Sequence, residues 1–311
     1  MKIFNYLKRI ALGDTPGARA IKAELDCARF DIRRASLEQS ILWSKESGVT
    51  DKRYCRNDII VSLTSYGDRL MEVPYAIESI MQQTCRPNRI VLWLSHDDYA
   101  KPLPEAIIRQ MSRGLEVRPT DDIRSYKKLI PSLEAYPDAA VITIDDDIIY
   151  EYDIVERLIR AHISDPENVH ACRVHRMEFG DNGKLKPYNA WSWCTEDITL
   201  PPVRNFLTGV GGTIYPSHPF KPEAFDRSVF MSICPTADDV WFNAMTRYSG
   251  RLIKSVKTRS PYLQDYIENP YAQSGGLTQI NVKIDNGDGT ANDRQIIAVF
   301  GKYGIFDLIK S

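Results

Sequence analysis

Between residues 57 and 162 short apolar runs alternate with amphipathic segments, and this pattern limits the fold more than any other feature of the sequence. Runs at 58–63 (DIIVSL), 89–94 (RIVLWL), 115–118 and 140–144 (AVITI) are apolar along most of their length, not at every second position. Strands of that composition are buried on both faces, as in a parallel sheet covered by helices on each side. The intervening segments fit this arrangement. At 71–83, Val73, Ala76, Ile77 and Ile80 share one helical face, and helices are also expected at 104–112, 127–135 and 148–162. The expected fold class is α/β: a Rossmann-like, mixed, mostly parallel sheet flanked by helices. In such sheets ligands bind outside the carboxyl ends of the strands.

The flanking regions differ. Residues 1–50 read as a helical extension: a short amphipathic helix at 1–12, a Gly/Pro break at Gly13, Pro16 and Gly17, then a helix at 18–47. Its apolar positions, among them Ile21, Leu25, Ala28, Phe30, Leu37 and Ile41, would dock on the core, pair with a second subunit, or rest on an anionic membrane. Residues 169–179 alternate polar and apolar like a strand with one wet face, and Asp181-Asn182-Gly183-Lys184 signals a hairpin turn. A helix is expected at 237–248, and the Gly/Asn/Asp-rich stretch from 257 to 293 reads as a loop or lid. The expected organisation is an extension (1–50), a catalytic domain (51–256, with halves 57–150 and 151–256) and a C-terminal lid or tail (257–311).

A net charge of -1 gives no global basic field, so nucleic acid is not an expected partner. The six cysteines are scattered without C-x-x-C pairs or zinc spacing, as free thiols of a reducing compartment are. No secretory h-region and no ~20-residue apolar span occur. A cytoplasmic location is expected, with peripheral contact at the inner face of the membrane through the first helices as a further option.

Asp145, Asp146 and Asp147 directly follow AVITI and precede Ile148-Ile149-Tyr150. Three adjacent carboxylates inside buried sequence repel one another and need a counter-charge. Oxygen ligands suit Mg²⁺ or Mn²⁺, and a cation held by one or two carboxylates keeps positions open for phosphate oxygens. A solvated acidic turn is the bland alternative.

Several segments together resemble a known family. An acidic D-x-D after an apolar strand midway through a βαβ domain is similar to the signature of GT-A glycosyltransferases. VSLTSYGDRL resembles the first strand and nucleotide loop of family-2-type enzymes, and AIESIMQQTCRPNRIVLWLS their next helix and strand. TADDVWFNAM resembles the acidic helix start after the acceptor region, a pairing also found in exostosin-like enzymes. The resemblance covers residues 57–250. It implies a GT-A fold and a metal-dependent transfer of a sugar from a nucleotide sugar, a UDP-sugar being expected, to a saccharide or glycolipid acceptor in surface polysaccharide synthesis.

By that resemblance Thr64, Ser65 and Tyr66 would line the base and ribose, with Arg69 near the base or diphosphate. Asp145 would approach the ribose, Asp147 would bind the metal with help from Asp145, and Asp146 would assist either. Lys128 or Lys127 would reach the diphosphate as a point charge, or merely face water, and Arg124 is open in the same way. Asp238 and Asp239 would either complement the helix dipole or supply the general base, with Asp239 favoured. Trp191 and Trp193 would wall the acceptor site, aromatic faces suiting sugar C–H surfaces, or belong to the core, and Trp241 would stand beside Asp239 as part of that wall. Gly209, Gly211 and Gly212 would let backbone approach a ligand, or merely make a tight turn. His218 reads as a surface histidine, the 285–290 segment as a turn, and Arg251, Lys254, Lys257 and Arg259 as a basic cluster beside the cleft or on the solvated surface. Two other functions fit the same fold: a sugar nucleotidyltransferase, which would want a richer Gly/basic loop than TSYGDRL, and a non-catalytic carbohydrate-binding protein.

Overall fold

The computed structural model describes residues 15–194, 201–257, 265–271, 281–282 and 290–310. The expected first helix at 1–12, Arg259, and residues 285–289 of the expected turn lie outside the described residues.

A seven-stranded sheet runs through the molecule. Its strands are β1 (Ile59–Thr64), β2 (Arg89–Ser95), β3 (Leu115–Thr120), β4 (Ala140–Thr143), β6 (Val169–Ala171), β9 (Thr213–Tyr215) and β10 (Ile253–Ser255), in the order β10-β6-β9-β4-β1-β2-β3. Two small ladders lie outside it, β5 (Ile148–Tyr150) with β11 (Tyr266–Glu268) and β7 (Val174–Arg176) with β8 (Asn205–Leu207). All pairs of the large sheet are parallel except those of β9, which is antiparallel to both β4 and β6. The fully apolar runs read from the sequence are its central strands. β1 and β4 are buried on both faces, as a doubly covered sheet requires. The covering helices are α2 (Val73–Met81), α3 (Glu105–Met111), α4 (Ile130–Ala135), α5 (Ile154–Ser164) and α6 (Asp238–Tyr248).

The strand order fixes where a ligand site belongs. From β1 the chain moves outward through β2 and β3, then returns to place β4 on the other side of β1. The crevice between the carboxyl ends of β1 and β4 is therefore a topological switch point, where doubly wound sheets bind ligands. Thr64–Tyr66 leave one side of it and Asp145–Asp147 the other.

Two segments depart from expectation. Residues 148–150 form β5, not the start of a helix, and α5 begins only at Ile154. Ile-Ile-Tyr is β-branched and aromatic, and pairing with β11 (Tyr150 opposite Tyr266) satisfies it as strand. The alternating 169–179 run splits into β6 and β7 in two different sheets, and both are largely buried rather than wet on one face. The hairpin at 181–184 is present, with Gly183 at φ +69° and the Gly180 N–H donating to Lys184 O at 2.9 Å.

The long helix α1 (Pro16–Trp43) is capped by Thr15 and docks through Phe30, Leu37 and Ile41. Each such side chain contributes ~1.5–3 kcal/mol when fully buried. Arg34 pairs with Glu72, and Arg33 donates to Tyr152 Oη at 2.7 Å. Ile21, Leu25 and Ile32 remain exposed on another face. At the other terminus α7 (Ala291–Lys302) opens with a Thr290/Asp293 capping box and buries Ile296, Val299 and Phe300 in the core that also holds Trp241. The expected tail thus ends in a core helix. None of the described helices is long and apolar enough to cross a membrane.

Candidate functional site

A cleft of about 720 Å³ opens at the switch point. Its floor is the acidic turn after β4. The turn is held from behind by Tyr150, whose hydroxyl accepts the Asp145 N–H at 3.0 Å and donates to Val210 O at 3.0 Å.

The three aspartates face three environments. Asp146 points inward: Ser65 Oγ donates to its Oδ2 at 2.6 Å, Arg69 Nε to the same oxygen at 2.9 Å, and a second Arg69 nitrogen to Oδ1. Burial pushes the Asp146 carboxyl up to about 6, against the pull of Arg69. Asp147 is half-exposed, its side chain 48% accessible, with Oδ2 2.8 Å from Arg69. Asp145 turns to the opposite wall, where Lys128 Nζ donates to its Oδ1 at 2.9 Å.

Lys128 joins this turn to the start of α6. Its buried ammonium also lies 3.0 Å from Asp238 Oδ2, an ion-pair contact without an aligned hydrogen bond. Burial alone would lower its pKa, but Asp145, Asp238 and Asp239 together hold it well above the ordinary lysine value. Asp239, enclosed by protein yet open to the cleft, accepts the Gly209 N–H at 3.1 and 3.2 Å. Burial, and then the neighbouring Asp238, push its carboxyl up to about 7, with Lys128 opposing.

The expected site residues divide clearly. Thr64, Tyr66, Arg69, Lys128, Asp145, Asp146, Asp147, Asp238, Asp239 and Trp193 all line the cleft. Ser65 is buried behind it and orients Asp146. Trp241 is core: it is fully buried and donates to Ala224 O at 3.1 Å. It lies roughly 200° around the helix from Asp239, so the two cannot share a wall. Trp191 is also core, packed on Tyr188 and Phe206 and donating to Lys186 O at 2.8 Å. A 3₁₀ turn at Tyr188–Ala190 breaks the strand alternation that would have placed it beside Trp193.

Gly211 and Gly212 do not reach the cleft. A Cβ on Gly211 would meet Arg173 Cβ at 2.7 Å, and Gly212 needs its φ of +86°. Gly209 is the glycine that matters at the site, because a Cβ there would stand 2.7 Å from Lys128 Nζ. Lys127 and Arg124 also line the cleft, Lys127 paired with Asp122 and Arg124, at φ +56°, donating to Pro235 O at 3.1 Å. His218 is a surface histidine paired with Asp138 at 3.0 Å. Arg251 and Lys254 pair with Glu167 and Asp165 away from the cleft.

Among the cleft residues that the sequence did not point to are Arg173, His175 and Tyr188. The only available signal was the i, i+2 spacing of Arg173 and His175, which shares a face with nothing to mark that face as a site.

Among the described residues no three His, Cys, Asp or Glu side chains converge as a metal cage. The oxygens not already held by Arg69 or Lys128 are Asp147 Oδ1 and Asp145 Oδ2, a small set suited to a hard cation that completes its shell with phosphate and water.

No family model matches the chain, and no curated protein matches it. Among solved structures it is similar to the mannosyltransferase PcManGT from Pyrobaculum calidifontis, in complex with GDP-Man and Mn²⁺, at 19% identity and TM-score 0.32, covering 49% of this chain and 46% of that one. It is also similar to HddC from Yersinia pseudotuberculosis at 13% identity and TM-score 0.32, covering 51% of this chain and 76% of that one. The chain thus spans less than half the length of the first of these.

Proposed function

We propose that this chain is a metal-dependent glycosyltransferase of the GT-A, family-2-like type, moving a hexosyl or N-acetylhexosaminyl group from a UDP-sugar to a saccharide or glycolipid hydroxyl. The observation that carries this reading is the disposition of acids across one cleft. Asp145 and Asp147 end a central strand on one wall, Asp239 starts a helix on the other, and Lys128 bridges Asp145 to Asp238.

Tyr66 offers an exposed ring to the nucleotide base beside Thr64, whose hydroxyl is already committed to Trp93 O at 2.8 Å. Arg69, fixed by Asp146 and Asp147, carries its remaining N–H groups toward the diphosphate. Asp147 with Asp145 would hold Mg²⁺ or Mn²⁺, which when bound offsets the charge of the departing diphosphate. Asp239 accepts the acceptor hydroxyl proton as the new bond to the anomeric carbon forms and the bond to the diphosphate oxygen breaks. A carboxyl pushed up to about 7 suits that task near neutral pH. Trp193, 42% exposed in the cleft, supplies an aromatic face for the acceptor sugar. Residues 51–256 form the catalytic unit in this reading. The role is in surface glycan synthesis in the cytoplasm, at the inner membrane face, where Ile21, Leu25 and Ile32 of α1 would meet the bilayer or a second subunit.

Release of UDP from a panel of UDP-sugars, with and without saccharide acceptors, tests the proposal. Asp239→Asn should keep nucleotide affinity and lose at least ~10²-fold in rate, the usual scale of a general base. An Asp239→Asn enzyme as fast as wild type would remove the base from the scheme.

A further inference from the structure

The cleft that holds Asp239 also holds a cation without a carboxylate partner and an imidazole nitrogen without an aligned hydrogen-bond partner among the described residues. Four cations of the cleft are matched with carboxylates, Arg69 with Asp146 and Asp147, Lys101 with Asp98, Lys127 with Asp122, and Lys128 with Asp145 and Asp238, while Arg124, which also lines the cleft, donates to the Pro235 carbonyl. Arg173 has no carboxylate within ion-pair distance among the described residues. Its Nε donates to Cys194 Sγ at 3.3 Å and one terminal nitrogen to Thr208 Oγ1 at 3.2 Å, which leaves three of its five N–H groups unused.

His175 lies beside it and is 1% exposed. Its Nδ1 accepts the Cys194 N–H at 3.0 Å, so the proton of the neutral ring sits on Nε2. That Nε2 has no aligned hydrogen-bond partner among the described residues, the backbone of Val174 being the polar group beside the ring, and the residue lines the cleft. Burial and the adjacent Arg173 keep the ring neutral. A buried donor left unsatisfied is costly and calls for a partner the protein itself does not supply. Trp193 stacks on the same imidazole at 4.8 Å and keeps part of its surface in the cleft.

We infer that Arg173, His175 and Trp193 form an acceptor subsite for a saccharide bearing an anionic group, a carboxylate or a phosphate. The indole takes the sugar's C–H surface, the guanidinium takes the anion through paired N–H groups, and His175 Nε2–H donates to an oxygen of the anion or an adjacent hydroxyl. The assignment to the acceptor, as opposed to some other ligand, rests on the transferase reading above. The three residues line the same cleft as Asp239, and Arg173 is tied to Thr208, whose neighbour Gly209 donates to Asp239.

The test is a ligand-observed NMR titration of the full chain with glucose, glucuronate and glucose 6-phosphate, with and without saturating UDP and Mg²⁺. A charged sugar should bind at least tenfold more tightly than glucose with UDP present. Preference for glucuronate marks a carboxylate acceptor, and preference for glucose 6-phosphate a phosphorylated one. Arg173→Gln should reduce the preference to twofold or less without changing UDP affinity, and Arg173→Lys should keep part of it. His175→Leu should weaken the charged sugar at least threefold, with His175→Gln, which restores a donor, recovering most of the loss. Equal binding of glucose and the charged sugars, or a preference that survives Arg173→Gln, overturns the subsite. A tenfold loss of UDP affinity in Arg173→Gln also overturns it, since Arg173 would then serve the donor. Selective binding of charged sugars by a protein that binds no nucleotide would keep the subsite and refute the transferase.

Discussion

Asp239 should make the metal-free protein less stable as pH rises, and replacing it with Asn should remove that contribution. Its carboxyl is pushed from an ordinary 3.8 up to about 7, a value that already includes the attraction of Lys128. The folded state therefore holds a proton that the unfolded chain has released, and stability falls as pH climbs from 3.8 to about 7 and levels off above. At ~1.4 kcal/mol per pH unit, the ionised carboxylate costs the native state about 4 kcal/mol at pH 8. Asp146, pushed up to about 6, adds a cost of the same sign that is complete by that pH. Asn at 239 keeps an acceptor for the Gly209 N–H and carries no charge. Urea unfolding in EDTA at pH 4.5, 6 and 8 is the assay. Asp239→Asn should exceed wild type by only ~1 kcal/mol at the lowest pH and by ~2–4 kcal/mol at pH 8. A variant less stable than wild type at pH 8, or a difference that does not change with pH, would refute the reasoning.

Other substitutions probe neighbouring parts of the site. Lys128→Met strips the cation from between Asp145, Asp238 and Asp239, and urea unfolding at pH 8 should show a loss of ~3–5 kcal/mol, the cost of breaking a buried pair. Gly209→Ala should cost ~1–3 kcal/mol by overpacking against Lys128 and depress turnover, whereas an active, fully stable variant would mean the lysine moves aside freely. The two tryptophans should separate cleanly. Trp241→Ala should lose ~3–5 kcal/mol of stability as a core truncation, and Trp193→Ala should lose little stability while raising the acceptor KM.

Much of the segment 57–150 was legible because burial on both faces leaves an unmistakable run of apolar residues in β1, β2 and β4. The acid turn was legible for the related reason that Asp145–Asp147 interrupt such a run. What escaped depends on contacts distant in sequence. Residues 148–150 look helical alone and become strand because Tyr266 comes back to pair with Tyr150. Trp241 sits beside the acids in sequence and behind them in space, a matter of helix rotation. The face shared by Arg173 and His175 has meaning only once the 208–211 segment packs on Arg173 and α6 brings Asp239 into the same cleft. Ser65 was placed in the right loop with the wrong duty, since nothing local says that a serine after a strand will reach an aspartate 81 positions away.

The central claim is that the Asp145–Asp147 turn binds a nucleotide sugar through a divalent cation, and calorimetric titration tests it most directly. UDP, with GDP and CDP as controls, would be titrated into wild type and Asp147→Ala with Mn²⁺ and with EDTA. The account predicts UDP binding that requires Mn²⁺, exceeds that of the other nucleotides and is lost in Asp147→Ala while the fold persists. Nucleotide binding indifferent to metal and to Asp147, or no nucleotide binding with Mn²⁺ present, would contradict it.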